Sequence, residues 1–301
     1  NGAKRWIYIG SFSVQPAEFA KICSVMIEAY YLSYCIQKRQ AFKLIQSQHG
    51  TLVVLAALVE LEPDMGTMMI ILGVPLLMLI VAGLDMGKIK NLIFIVVAAA
   101  TALCIYQPYR LQRIKVMLDP WADAQGMGYQ TVQSITAIGS GGFWGMGLGE
   151  GLAKYAYLPE AHTDFAFAVF CQENGFLLAA GLIILYGLLG YFGAKIAKNA
   201  YDAYGQVLAG GLVILICLQA VINMFMVSGF LPVIGVPLPF ISYGGCSLLV
   251  SMAALGILVN INRYSLIKQL KMEKLTEHNL ANRQKPMRLM PGQRPKLTRI
   301  K

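Results

Sequence analysis

Three titratable side chains stand close together immediately before an apolar stretch of the chain. They are Glu160, His162 and Asp164, in the sequence Pro-Glu-Ala-His-Thr-Asp-Phe that ends at Phe165. Carboxylates and imidazoles at a boundary between water and membrane can accept and deliver protons, as general acid–base catalysis requires. The same spacing fits a structural role, because Thr163 or Asp164 could cap the first amide groups of the following helix. Spacing alone favours capping over catalysis.

Glu18 and Lys21 are charged residues inside an otherwise apolar segment, roughly 16–37. Because they are three residues apart, they share one face of a helix. A charge at the centre of a bilayer costs about 2.5–3.5 kcal/mol on insertion scales, so such residues usually face a partner or a polar cavity. A structural ion pair near the outer interface and a functional role are equally supported.

Two further segments are irregular in composition. The stretch 139–149 is dense in glycine, which permits positive φ angles and a close approach of backbone amides to an anion. It lacks the Gly-Lys-Ser/Thr ending of a Walker A loop, and its glycine content equally indicates a tightly turned, packed loop. The second segment contains Pro232, Pro237 and Pro239 ahead of Ser-Tyr-Gly-Gly at 242–245. Broken backbone at membrane depth belongs beside the site or beside the helices that support it.

The composition indicates a membrane protein. Of the 301 residues, 57% are hydrophobic and 13% are charged, whereas soluble domains carry about 25% charged residues. A helix that spans a bilayer needs about 20 mostly apolar residues. The sequence therefore predicts an all-α polytopic fold with about seven membrane-spanning segments, roughly 16–37, 51–61, 66–84, 91–107, 167–194, 207–229 and 241–262.

The charges of the connecting segments give these spans a direction. Basic residues in 38–50, 85–90, 195–206 and the tail place 62–65, 108–165 and 230–240 outside the cytoplasm. The same parity places Asn1 outside, so we expect an odd number of spans upstream. From Arg263 onward there are eleven Lys or Arg against two Glu. We interpret the tail, 264–301, as a basic cytoplasmic segment near anionic lipid, disordered beyond about Glu277, and not as a nucleic-acid-binding segment.

The sequence shows no metal-ligand pattern. The six cysteines lie in or beside apolar runs and form no C-x-x-C pair, so they read as small hydrophobic packing residues. His162 has no second histidine at helical spacing, which makes a metal role for it weak. Nothing in the sequence requires a cofactor.

Several of these motifs resemble, in the expected order, those of the SEDS family (shape, elongation, division and sporulation), which includes the FtsW, RodA and SpoVE proteins. Gln15–Lys21 is similar to the family's Q-P-[SA]-E-[LF]-[AV]-K motif, and Pro63–Thr67 to its P-D-x-G-T turn. Further similar motifs are G-Y-Q at 128–130, Q-S at 133–134, A-I-G-S-G-G at 137–142, P-E-A-H-T-D-F at 159–165 and P-L-P-F-I-S-Y-G-G at 237–245. The resemblance extends from Gly2 to about Arg263.

The resemblance implies a ten-helix fold, of which this chain would hold the last seven spans as a single membrane domain over 1–263, with the large extracytoplasmic loop at about 108–165. The chain departs from the family pattern at Cys246, where Ser is usual, and at Asn174 in an E-[EL]-G pattern. Pro-Glu-Ala-His at 159–162 and Leu-Pro-Val at 231–233 favour the division type, FtsW-like, over the RodA-like type.

The activity implied by the resemblance is peptidoglycan glycosyltransfer. Lipid II, a disaccharide peptide on undecaprenyl pyrophosphate, would be polymerised into glycan strands at the outer face of the bacterial cytoplasmic membrane. Asp164 matches the family's catalytic aspartate and is expected to act as the base, with Glu160 tuning its pKa through like charge. The pyrophosphate needs cations. The expected substrate-binding residues are Arg5, Glu18, Lys21, Arg110, Arg113 and Lys154.

A divalent cation, Mg²⁺ or Mn²⁺, could replace part of that positive charge. The expected partners are a class B penicillin-binding protein (a transpeptidase), other divisome proteins and membrane lipid. Two alternatives stay open: a lipid II flippase, which Glu18, Lys21 and the broken outer segment would suit, and a scaffold for the penicillin-binding protein. If the catalytic interpretation holds, Asp164, Arg110 and Lys21 should converge on one outward cavity.

Overall fold

The computed structural model describes residues 5–10, 12–43, 46–85, 87–91, 108–154 and 158–283. Within these ranges the fold is helical apart from one antiparallel hairpin, β1 (Ile7–Ile9) and β2 (Phe12–Val14). The helices are α1 (Pro16–Lys38), α2 (Ser47–Leu61), α3 (Met65–Val81), α4 (Pro108–Leu118), α5 (Tyr129–Ser140), α6 (Ala166–Lys198), α7 (Ala203–Val227) and α8 (Gly245–Arg283). Short 3₁₀ turns occupy Pro120–Asp123 and Leu152–Lys154.

Four of the described helices are long and apolar enough to cross a membrane. They are α1, α6, α7 and the part of α8 from Gly245 to His278, while α2 and α3 are shorter apolar helices. The predicted all-α, multi-pass membrane fold is confirmed. The predicted span at 91–107 lies almost wholly outside the described residues, and 108–165 contains the short elements α4 and α5 instead of a long helix.

The bundle is centred on α1, α3 and α7, whose side chains form the main apolar core. Val25 and Leu32 of α1, Val74 of α3 and Leu212 of α7 are all completely buried there. Two of these helices begin at a start signal in the sequence: Pro16 occupies the first turn of α1, and the Asp202 carboxylate accepts the amide of the third residue of α7. The polar segments of the chain pack against these three helices.

The basic segment after the last span is helical where it is described. α8 continues to Arg283, a few residues past Glu277, where disorder was predicted to begin, and 284–301 lie outside the described residues. This segment is rich in Leu, Lys, Gln, Met and Glu, which favour helices. The first residues of this basic segment are also anchored by Tyr201. The Tyr201 amide donates to Ser265 Oγ at 3.0 Å, and the Lys268 ammonium lies 5.7 Å from the Tyr201 ring centre.

Helix α6 is broken at Gly175. This residue has φ 72° and ψ −175°, a backbone conformation that belongs almost only to glycine. The glycine-rich stretch packs into the break: a Cβ on Gly145 would lie 2.2 Å from the Glu173 carbonyl, and one on Gly175 would lie 2.3 Å from the Gly145 amide nitrogen. The two backbones approach this closely only because both residues lack a side chain.

The amides of the glycine-rich stretch are bonded to α6. Met146 N–H donates to the Gln172 carbonyl at 3.0 Å, and Gly147 N–H donates to the Glu173 carbonyl at 3.1 Å. In return, the first amide beyond the break, that of Phe176, donates to the carbonyl of Gly142. Of the two interpretations of these glycines, the structure therefore supports the packed loop over an anion-binding loop.

Candidate functional site

Asp164 lies in the turn that precedes α6, and it does not cap that helix. The N-cap position is Phe165, and no side chain there accepts a helix amide. Thr163 Oγ1 instead donates to Glu160 Oε2 at 2.8 Å, and Glu160 has a positive φ of 54°. The capping role that spacing alone favoured is wrong, because the chain enters α6 from a tight turn closed by Glu160.

Two amide side chains of α7 hold this turn against the broken outer segment. Asn223 Nδ2 donates to the Asp164 carbonyl at 2.8 Å and to the Val236 carbonyl at 2.6 Å. One helical turn earlier, Gln219 Nε2 donates to the Pro237 carbonyl at 2.9 Å. Sequence reasoning missed both residues, although two amides four positions apart on an otherwise apolar helix share one face and were a detectable signal.

The broken outer segment also contacts the turn directly. The Tyr243 amide donates to the His162 carbonyl at 2.8 Å, and the Leu238 amide donates to Ser242 Oγ. The residues from 229 to 244 are not helical. The prediction that this irregular backbone lies beside the site or its supporting helices is confirmed.

A second carboxylate, that of Asp64, is held close to the same place. Its Oδ1 accepts the Thr67 amide at 3.0 Å and so caps α3. Gly66 lies between Asp64 and Thr67 and packs against the broken outer segment. A Cβ on Gly66 would be 2.4 Å from the Ile234 carbonyl. The P-D-x-G-T turn thus combines a cap with a close approach that only glycine allows, and it seats α3 beside Asp164.

The surroundings of Asp164 raise the pKa of its carboxyl from 3.8 to about 6. Burial is the largest cause, followed by the negative charges of Glu160 and Asp64, while the Arg5 guanidinium opposes them. Arg5 is fixed in place because it donates to the Glu62 carbonyl at 2.6 Å and to the next carbonyl at 2.7 Å. A carboxyl with a pKa this close to neutrality is suited to accept a proton from a substrate hydroxyl.

A groove of about 390 Å³ lies next to the turn. Arg113, Gln130, Pro159 and Val233 are among its lining residues, and the Arg113 guanidinium donates to the Val233 carbonyl. Asp164 does not line the groove itself, but Pro159 belongs to its turn and Val233 to the broken segment that packs on it. The groove therefore adjoins the carboxylate cluster.

Two of the other predicted cations, Lys21 and Lys154, have partners elsewhere. Lys21 is almost fully buried, 2.8 Å from Glu18 and 3.1 Å from Gln219 Oε1, so it does not face an outward cavity. Lys154 pairs with Glu173 at 2.8 Å, beside the break in α6. The side chain of Arg110 lies outside the described part of the chain. The predicted convergence is therefore wrong for Lys21, and among the described side chains Asp164 is instead surrounded by Glu160, Asp64 and Arg5.

Comparison with known proteins identifies the family. Residues 1–266 match the family of cell cycle proteins that comprises FtsW, RodA and SpoVE. The chain is 38% identical over 266 residues to stage V sporulation protein E of Bacillus subtilis, covering 88% of this chain and 73% of that protein. It is 41% identical over 266 residues to a probable peptidoglycan glycosyltransferase FtsW of Trichlorobacter lovleyi, covering 87% and 69%.

Solved structures show the same fold. A chain from work on the structural coordination of polymerization and crosslinking by a peptidoglycan synthase complex matches with a TM-score of 0.70 and 26% identity, covering 88% of this chain and 74% of that one. The Rod shape determining protein RodA of Thermus thermophilus matches with a TM-score of 0.58 and 26% identity, covering 87% and 70%. The chain belongs to the FtsW/RodA/SpoVE (SEDS) family of multi-pass membrane proteins. The names of its relatives favour an FtsW-like over a RodA-like protein, as predicted.

Proposed function

We propose that this chain is a peptidoglycan glycosyltransferase that polymerises lipid II at the outer face of the bacterial cytoplasmic membrane. Its family and the names of its relatives support this activity. The observation that carries the mechanism is the state of Asp164, which caps no helix and whose carboxyl has a pKa raised to about 6 by burial and two neighbouring carboxylates.

In the proposed reaction, the Asp164 carboxylate takes the proton of the acceptor sugar hydroxyl. The hydroxyl oxygen then forms a bond to the anomeric carbon of the donor, with inversion, while the bond from that carbon to the lipid diphosphate breaks. Glu160 acts through its charge, which keeps the proton affinity of Asp164 high. Asn223 fixes the position of the base by binding its backbone carbonyl.

The departing diphosphate needs positive charge as its own negative charge develops. Arg113 is the best placed of the described cations, because it lines the groove beside the turn, and a guanidinium can contact two phosphate oxygens at once. Arg5 contributes its charge to the same cluster. Lys21, Glu18 and Lys154 act instead as structural ion pairs.

A divalent cation, Mg²⁺ or Mn²⁺, could neutralise part of the diphosphate charge. These hard cations prefer oxygen ligands, such as those of carboxylates and phosphates. Over the described residues, no three His, Cys, Asp or Glu are grouped as a metal site. The oxygens of the diphosphate would therefore complete any such site.

The proposed partners follow from the solved complex. That peptidoglycan synthase complex coordinates polymerization with crosslinking. We therefore propose that the partner of this chain is a class B penicillin-binding protein, the transpeptidase that crosslinks the strands. Other divisome proteins and membrane lipid complete the proposed set.

Replacing Glu160 by Gln tests the electrostatic part of the mechanism. The base works when ionised, so polymerisation should fall as pH drops through about 6, the pKa of Asp164. Glu160→Gln removes a negative charge that raises this pKa, so the acid limb should move to lower pH. The measurement is the pH dependence of lipid II polymerisation by the full-length protein.

Glu150→Gln provides the matched control, since Glu150 is an exposed glutamate of the same outer region and does not affect the Asp164 pKa. It should leave the acid limb unchanged. An acid limb that stays in place in Glu160→Gln, or moves to higher pH, would remove Glu160 from the mechanism.

A further inference from the structure

Glu28 is a carboxylate buried inside the helix bundle, far from the site. It is completely inaccessible to solvent and lies twelve residues after Pro16 on α1, or about 18 Å along the helix. Helices α3 and α7, which pack on α1, contain no Asp, Glu, Lys, Arg or His. A carboxylate in such surroundings needs a polar partner close by.

Its partner is His49, in the first turn of α2. His49 Nε2 lies 3.2 Å from Glu28 Oε2, and the His49 ring meets the Tyr31 ring edge-on with 5.2 Å between centres. The N-cap of α2, Gln46, makes no side-chain hydrogen bond to the helix. A carboxylate beside the first turn of a helix also complements the positive end of its dipole. The Glu28–His49 pair thus anchors the beginning of α2.

This anchor lies part-way along α1. Ala17, at the opposite end of α1, packs with Ala56 and Val59 near the end of α2. Helix α2 has 15 residues and α1 has 23, so α2 begins beside Glu28 and the last turns of α1 continue past it. The first turn of α2 therefore lies beside the middle of α1.

After α1 ends, the chain runs back beside that helix through irregular backbone and reaches the start of α2. The Tyr31 hydroxyl donates to the Lys43 carbonyl at 3.0 Å and accepts the Lys43 amide at 2.8 Å. Phe42, the preceding residue, packs against the main core. Tyr31 therefore holds the returning chain and, through its ring, contacts His49.

The far end of α2 leads directly into the site. After Leu61 come the two carbonyls that bind Arg5, and then Asp64, whose charge raises the pKa of Asp164. A helix of this length is about 22 Å long and behaves as a rigid rod. A shift of its anchored end along the axis would displace the turn that carries Asp64.

We propose that Glu28 and His49 are a positioning pair, which fixes α2 along α1 and thereby holds the Arg5–Asp64 turn beside Asp164. Its effect on catalysis rests on the proposed function, whereas its effect on the turn does not. Neither residue touches the substrate or the reacting atoms.

The test compares Glu28→Gln, His49→Gln and the double variant in the full-length protein. Each single variant should lower kcat for lipid II polymerisation by up to about a hundredfold, the cost of a small misplacement of reacting groups, with little change in KM. The double variant should be no slower than the slower single variant, because both remove one interaction. Amide hydrogen exchange should become faster at 47–52 and also at 61–64.

Ser33→Ala is the matched control, because Ser33 is a buried polar residue of α1 whose hydroxyl donates to the Tyr30 carbonyl within the same helix. It should leave rate and exchange unchanged. If the single variants fold poorly, the charge-exchanged variant Glu28→His/His49→Glu is compared with Glu28→His and His49→Glu. It should have a higher polymerisation rate and slower hydrogen exchange than either of these. Three results would overturn the positioning role. They are faster hydrogen exchange at 47–52 without any change at 61–64, rate losses that add up in the double variant, and a charge-exchanged variant that restores neither readout. A wild-type protein that makes no polymer would refute the proposed function, while the exchange data would still decide the role of the pair.

Discussion

Replacing Asp164 by Asn should lower lipid II polymerisation by at least about a hundredfold, because a general base contributes roughly 10²–10⁴-fold and the amide cannot take the proton. The change should not unfold the protein. The pKa of Asp164 is raised to about 6 in the folded state, so its ionisation opposes folding. This opposition is absent below the ordinary pKa and complete above pH 6. The Asn variant should therefore be at least as thermostable as the wild type at neutral pH.

The two readouts for this variant are the polymerisation rate and thermal unfolding in the same detergent. Asp119→Asn is the matched control: Asp119 is an exposed outer carboxylate that caps a 3₁₀ turn, a role Asn can also fill. It should polymerise at the wild-type rate. A wild-type rate from Asp164→Asn would remove the base assignment, and a large loss of thermal stability would point to a structural role.

Replacing Gly175 by Ala should destabilise the fold by about 2–6 kcal/mol, since a strained backbone conformation and overpacking each cost roughly 1–3 kcal/mol. The new Cβ would meet the Gly145 amide nitrogen at 2.3 Å and the Phe143 carbonyl at 2.6 Å, both in backbone that cannot swing aside as a side chain can. The glycine-rich stretch should then separate from the break in α6. The measurement is thermal unfolding of the purified protein, together with its folded yield.

Gly181→Ala tests whether the effect belongs to the break. Gly181 lies in the same helix, and a Cβ there would meet nothing within 4 Å. Alanine favours a helix over glycine by about 1 kcal/mol, so this variant should be as stable as the wild type or slightly more stable. If the two variants were equally stable, the packing of the glycine-rich stretch into α6 would be contradicted.

The sequence predicted the membrane fold because apolar runs of spanning length are a local property of the chain. It also located the turn at 159–165 and the irregular outer segment at 230–240, since proline, glycine and charged residues interrupt those runs. At the start of the tail, the helix-forming residues after Arg263 indicated the structure better than the high polarity did, because α8 continues to Arg283. Local spacing failed at Asp164, where it indicated a cap and the turn closed by Glu160 excluded one.

The composition of the site could not be predicted because it depends on contacts between distant parts of the chain. Asp64 lies a hundred residues before Asp164, and the close packing of Gly66 against the Ile234 carbonyl helps to bring it near. Lys154 has a carboxylate partner, Glu173, that no local spacing connects to it. Charge type therefore identified candidate phosphate ligands, and tertiary packing decided which of them were already paired.

The most direct test of the glycosyltransferase assignment is the fate of labelled lipid II given to the full-length protein in liposomes that contain no other polymerase. We expect a ladder of glycan strands from the wild type and none from Asp164→Asn. Movement of lipid II between the leaflets without any polymer would contradict the account and identify a flippase instead.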